Sequence, residues 1–157
     1  ARLSERTADS VRRMEEWISN IYHLALRLQA YKNDAILNRD RQQVPKAIRN
    51  LRAKLKLEDD AEVRAQLEAT LKSKQQQWKN LQALDNLMER AELQLDHSVA
   101  ALGTAYSQLL LIRSSREVDS TSARRLQESV DDEVASLQDL VESINQVYDY
   151  RVEGLGS

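Results

Sequence analysis

The stretch AEVRAQLEATLKSKQQQWKNLQALDNLMERAELQLDHSVAALGTAYSQLLLIRSS, Ala61 to Ser115, decides the fold. Apolar or small residues recur through it at steps of three and four, with one step of seven from Leu71 to Trp78: Leu67, Leu71, Trp78, Leu81, Leu84, Met88, Ala91, Leu95, Ser98, Leu102, Ala105, Leu109 and Ile112. No proline interrupts it, and its only glycine is Gly103. That pattern predicts one long α-helix with a continuous apolar face. At about 1.5 Å per residue the helix runs on the order of 80 Å. It cannot bury such a stripe against itself, so the rest of the chain must supply its partners.

Working outward, the N-terminal side carries a second heptad track, through Leu3, Thr7, Ser10, Met14, Trp17, Ile21, Leu24, Leu28 and Tyr31. A helix is predicted there, with Ser4 as a candidate N-cap. Val11, Ile18 and Ala25 widen the stripe enough to meet two neighbours. Asn33-Asp34 reads as a stop. Pro45 disfavours helical angles at Val44 and suits the first position of a new helix, so residues 33–44 read as a linker or a frayed end. The rival reading is a continuous helix kinked at Pro45. A short helix then follows from about Pro45 to Leu57, and Glu58-Asp59-Asp60 makes the corner, with Asp59 or Asp60 capping the long helix. Leu67 and Leu71 are expected to face Leu51, Ile48 or Val44.

Beyond Leu81 the stripe pairs a large track with a small one, Ala91, Ser98 and Ala105. Small residues admit a bulky neighbour, and Trp17 is expected near Ser98 to Leu102. A second corner falls at Ser114 to Ser122. A last helix is predicted from about Thr121 to Arg151-Val152, on Leu126, Val130, Val134, Leu137, Val141, Ile144 and Tyr148, with Gly154 as its terminator and a flexible tail at 153–157.

The expected fold is therefore all-α. It is an elongated antiparallel three-helix bundle with a two-helix coiled-coil hairpin arm, built on one long central helix. The bundle is drawn from about 3–32, 81–115 and 120–152, and the arm from about 45–80, all in a single helical domain. The heptads and the tryptophan of the first helix are similar to those of spectrin-like three-helix repeats. The short second helix departs from that pattern, and no family is assigned on these residues.

Composition agrees with this architecture and removes several chemistries. The 157 residues include 3 Gly, 1 Pro, no Phe and no Cys, and 31% are charged. Without cysteine there is no disulfide, thiol nucleophile or thiolate metal site. The two histidines, His23 and His97, follow Asn20 and Gln94 at the third position before them, so neither completes a Glu-x-x-His metal motif. No Gly-x-Ser-x-Gly elbow or glycine-rich phosphate loop is present. The acidic clusters Glu15-Glu16 and Asp131-Asp132-Glu133 read as solvated faces or ion-pair partners. An enzyme is not expected, nor a cofactor, a metal or a small-molecule substrate. The longest aliphatic run, Leu109 to Ile112, is far too short to span a bilayer. With no cysteine and no visible signal segment, the expected compartment is the cytoplasm. The start at Ala1 and the end at Ser157 suggest a piece of a larger protein.

Net charge is −2, which gives no overall pull toward nucleic acid or anionic membrane. The local exception is Arg39, Arg41, Lys46, Arg49, Arg52, Lys54 and Lys56, set against only Asp40. Arg49, Arg52 and Lys56 share a helical face and are the candidate phosphate contacts. The plainer expectation is that this run pairs with Glu58, Asp59, Asp60, Glu62 and Glu68 across the hairpin, or is simply solvated. No aromatic interleaves with it in sequence, which weakens single-strand binding.

The leading expectation is a coiled-coil scaffold or spacer that binds a protein partner or a second copy of itself. Leu51, Leu55, Leu67, Leu71 and Trp78 are the candidate contacts, although Trp78 also suits a core plug. A basic hairpin arm for nucleic acid or an anionic membrane surface is the alternative. A cytoplasmic regulatory segment of a membrane protein is a third.

Overall fold

The computed structural model describes the backbone of residues 2–114 and 120–155, and the side chains of 5–114 and 121–147. Four helices account for nearly all of it: α1 (Arg2–Lys32), α2 (Ala35–Leu57), α3 (Ala61–Ser114) and α4 (Ser120–Leu155). No strand occurs among the described residues. The chain is all-α, and the rod predicted from Ala61 is continuous to Ser114.

Three sequence expectations are corrected. Residues 35–44 are helical, so the 33–44 segment is neither linker nor frayed end. The break lies at Asn33-Asp34, where the Asp34 carboxylate accepts from the Leu37 amide at 3.0 Å and caps α2. Pro45 therefore stands inside α2 and does not start it. Its missing N–H costs one intrahelical bond, on the order of 3 kcal/mol in a helix interior. The capped start and the burial of Leu37, Val44 and Ile48 on one face offset that loss. Ser4 lies within α1, which begins at Arg2. Finally, α4 passes Gly154 and continues to Leu155. Gly154 has the helical angles any residue adopts there, so it does not end the helix. Gly156 and Ser157, the end of the expected tail, lie outside the described residues, as do Ser115 to Asp119 of the second corner.

The chain divides into two compact units, one of residues 1–28 with 91–157 and one of residues 29–90. In the first unit, segments of α1, α3 and α4 touch pairwise. Trp17 is 1% exposed and its indole Nε1–H donates to Ser98 Oγ at 2.6 Å, as the small-residue track anticipates. Ser98 Oγ in turn donates to Glu133 Oε2 at 3.3 Å. His97 Nε2 lies 3.3 Å from the other Glu133 oxygen. Arg13 Nε donates to Asp131 Oδ1 at 2.8 Å, and these contacts hold the guanidinium above its usual range. Leu24, Val130, Val134, Leu137 and Ile144 close the apolar interior. Ile18 does not join it. With Tyr22 and Leu26 it forms an exposed stripe at four-residue steps along α1.

In the second unit α2 and α3 run in opposite senses. Arg41 meets Asp85, Gln77 meets Asp40, and Arg64 reaches the Leu55 carbonyl, so residues farther along α2 meet residues earlier on α3. Tyr31, Leu37, Val44, Ile48, Leu81 and Met88 are buried here. Arg41 forks onto both Asp85 oxygens at 3.0 Å and lies 5.0 Å from the Tyr31 ring centroid. Burial pushes the Asp85 carboxyl above its usual value.

Candidate functional site

Burial stops abruptly along the second unit. No residue from Arg49 to Asn80 is buried. The apolar positions of this stretch, Leu51, Leu55, Leu67, Leu71 and Trp78, all reach only intermediate exposure. The reason is geometric. A helix pairing with one neighbour covers a single line of its surface, and a leucine on that line keeps a flank in water. The corner is more open still, with Leu57 at 84% exposure and Val63 at 41%. Asp60 holds this corner. Its Oδ1 accepts from the amides of Glu62 and Val63 at 2.9 and 3.1 Å, which makes it the cap of α3. Glu58 Oε1 accepts from the Asp60 amide. Arg64 donates to the carbonyls of Leu55 and Glu58, groups that α2 leaves unsatisfied at its end.

Among the described residues the basic run makes no ion pair with Glu58, Asp59, Asp60, Glu62 or Glu68; Arg49, Arg52, Lys54 and Lys56 are exposed to solvent, the other half of that expectation. Arg41 pairs with Asp85 and Arg39 with Asp40. Glu68 pairs with Arg64 on its own helix. Arg49, Arg52, Lys54 and Lys56 have no ion pair among the described residues. The acids at the corner lie within a few residues of α2's end, whereas Arg49 and Arg52 sit one to two helical turns further back. At about 1.5 Å of rise per residue, ten residues separate Arg49 from Asp59 by roughly 15 Å, beyond the reach of an ion pair.

Instead, Arg49 and Arg52 line a groove of about 770 Å³ together with Pro45, Ile48, Lys72, Gln75, Gln76, Trp78, Lys79 and Gln82. Four cations and six polar or apolar neighbours from α3 and α2 face one space, and no carboxylate lines it. Lys56, the third candidate phosphate contact, is not part of the lining. The α3 contribution is absent from the candidates read in sequence, apart from Trp78. A signal for it exists: Lys72, Gln75, Lys79 and Gln82 follow one another at steps of three and four beside Trp78. An aromatic also stands beside the basic run in space, although none does in sequence. The charge balance is local too. Residues 29–90 hold 13 Lys and Arg against 9 Asp and Glu, or +4, while the other unit holds 10 against 16, or −6.

Among the described residues, no group of three or more His, Cys, Asp or Glu is placed to hold a metal ion. No helix among them is long and apolar enough to cross a membrane. His23 and His97 are both exposed; His23 Nδ1 lies 2.7 Å from the Ser19 carbonyl of its own helix. The arrangement offers contact surface and charge, with an apolar seam, an acidic corner and a cationic groove on one unit. Compared with family models, with curated proteins and with solved structures, the chain matches none of them.

Proposed function

We propose that the chain is a non-enzymatic helical scaffold that makes protein–protein contact through the 45–80 hairpin. In this reading the hairpin is a two-helix coiled coil, and the segments of α1, α3 and α4 in the other unit form an antiparallel three-helix bundle. One observation carries the proposal: between residues 49 and 80 nothing is buried, and the leucines Leu51, Leu55, Leu67 and Leu71 keep intermediate exposure. Apolar surface of that kind gains about 25 cal/mol per Å² when a further helical surface covers it. A second copy of the chain is the simplest source of such a surface.

Sedimentation of the full chain from micromolar to millimolar concentration tests the reading. The expected result is a concentration-dependent mass increase that Leu67→Asp abolishes. A strictly monomeric chain, unchanged by Leu67→Asp, removes self-association.

The cationic groove favours a second reading, in which Arg49, Arg52, Lys72 and Lys79 receive the phosphates of nucleic acid or of an anionic membrane surface, with Trp78 beside them. Binding to oligonucleotides or anionic vesicles that weakens with salt, and that is lost when Arg49, Arg52, Lys72 and Lys79 become Glu, supports it. No binding at low salt ends it.

A further inference from the structure

We propose that two copies of the chain associate through their hairpins with opposite orientation, the acidic corner of each seated in the cationic groove of the other. The inference rests on the preceding reading and adds to it the partner, the register and the charge pairs.

Three features of one unit carry it. The groove presents Arg49, Arg52, Lys72 and Lys79 around the apolar surfaces of Pro45, Ile48 and Trp78. None of the four cations has an ion pair among the described residues. The corner presents the complement: exposed Leu57 and Val63 beside Asp59 and Glu62, whose carboxylates also have no cationic partner among the described residues. The leucines lie between the two. Leu51 and Leu55 fall between Arg49 and Asp59 on one side, and Leu67 and Leu71 between Glu62 and Lys72 on the other.

The spacing decides why the match is made between chains. Asp59 is ten residues from Arg49, and Glu62 is ten residues from Lys72. Both intervals amount to roughly 15 Å along a helix, well past the Debye length of about 8 Å at physiological ionic strength. Corner and groove therefore do not neutralise one another within a chain. Turned end for end, a second hairpin lays its corner over the first one's groove. A two-fold axis then forms the same contact twice and closes the pair. That axis passes through the leucine segment, so Leu51, Leu55, Leu67 and Leu71 of both copies meet as an antiparallel four-helix layer. The seam is covered and both charge sets are paired by one movement.

Nucleic acid fits the same groove less well. Single-stranded binders present successive aromatic platforms along a basic track, and Trp78 is the only aromatic lining this groove. The nearby acidic corner opposes a phosphate backbone.

The test uses the full chain with two double variants. Arg49→Glu with Arg52→Glu sets two carboxylates against Lys72 and Lys79, so the groove loses its net positive charge and its attraction for the corner. Asp59→Lys with Glu62→Lys makes the corner repel the groove, and it leaves intact the Glu58 and Asp60 side chains that hold the turn. Sedimentation is expected to show that wild type associates, with a dimer constant weakened at least about tenfold between low and high salt. Each double variant alone is expected to be monomeric at the wild-type dimerising concentration. Their equimolar mixture is expected to dimerise again, because the mixed pair keeps one native contact and in the other the introduced carboxylates meet the introduced lysines. Rescue in the mixture also proves that both variants are folded. Retained association of either double variant, or a mixture that stays monomeric while both keep wild-type helical circular dichroism, overturns the proposal. So does association abolished by Tyr22→Asp on the exposed α1 stripe and untouched by the hairpin variants. Association that Leu67→Asp abolishes and the charge reversals spare overturns the seating and leaves the leucine-seam reading standing. Salt-sensitive oligonucleotide binding by a chain that stays monomeric assigns the groove to phosphate and overturns the proposal.

Discussion

The two tryptophans stand in opposite surroundings. Trp17 is 1% exposed and has its indole N–H bonded to Ser98. Trp78 keeps intermediate exposure and lines an open groove among cations. Both belong to tracks at heptad spacing, unbroken around Trp17 and with one seven-residue step, Leu71 to Trp78, before the other. The tracks differ in what meets them. Around Trp17, segments of three helices contact one another, and the largest fully buried side chains all lie in that unit. Around Trp78 two helices meet, and from Arg49 to Asn80 nothing is buried. A heptad stripe thus states that a helix wants cover, and the number of helices available decides whether it gets it.

Truncating side chains in each region separates a sealed interior from a half-covered hairpin. Trp17→Ala is expected to cost about 3–5 kcal/mol in chemical denaturation, the range for emptying a packed aromatic site. A loss below about 1 kcal/mol would contradict a sealed interior. Ser98→Ala comes next. It strands the indole N–H in a fully buried place and is expected to cost about 1–3 kcal/mol. Pro45→Ala moves the other way. It restores an N–H inside α2 but frees the unfolded chain that proline stiffens, by about 1 kcal/mol, so denaturation is expected to show a net gain of about 1–2 kcal/mol. Leu67→Ala is the smallest. In dilute solution, where the seam is uncovered, it is expected to cost about 1 kcal/mol or less. A cost as large as that of Trp17→Ala would erase the distinction between the regions.

The long helix, the corner at 58–60 and the meeting of Trp17 with Ser98 were legible in the sequence because each rests on local spacing or on a single size match. The 33–44 segment was not. Pro45 is a strong local signal, and the countervailing ones are individually weak: the Asp34 cap, and Leu37, Val44 and Ile48 buried on one side of α2. Ile18 misled for the opposite reason, since an apolar flank signals a wider stripe whether or not a neighbour reaches it. The site was half legible. Arg49, Arg52 and Trp78 were named from their residue types. Lys72, Lys79 and the glutamines joined them only when α2 and α3 were laid side by side, because the register of two antiparallel helices is not written in either one alone.

On the proposed function, the 49–80 hairpin is an uncovered surface that a second chain covers. Amide hydrogen exchange of the full chain, compared at low micromolar and near-millimolar concentration, tests it most directly. The predicted result is fast exchange at 49–80 in dilute solution, slow exchange around Trp17 and Val130 to Ile144, and protection gained with concentration at 49–80 alone. Equal protection of both regions at every concentration would contradict the account.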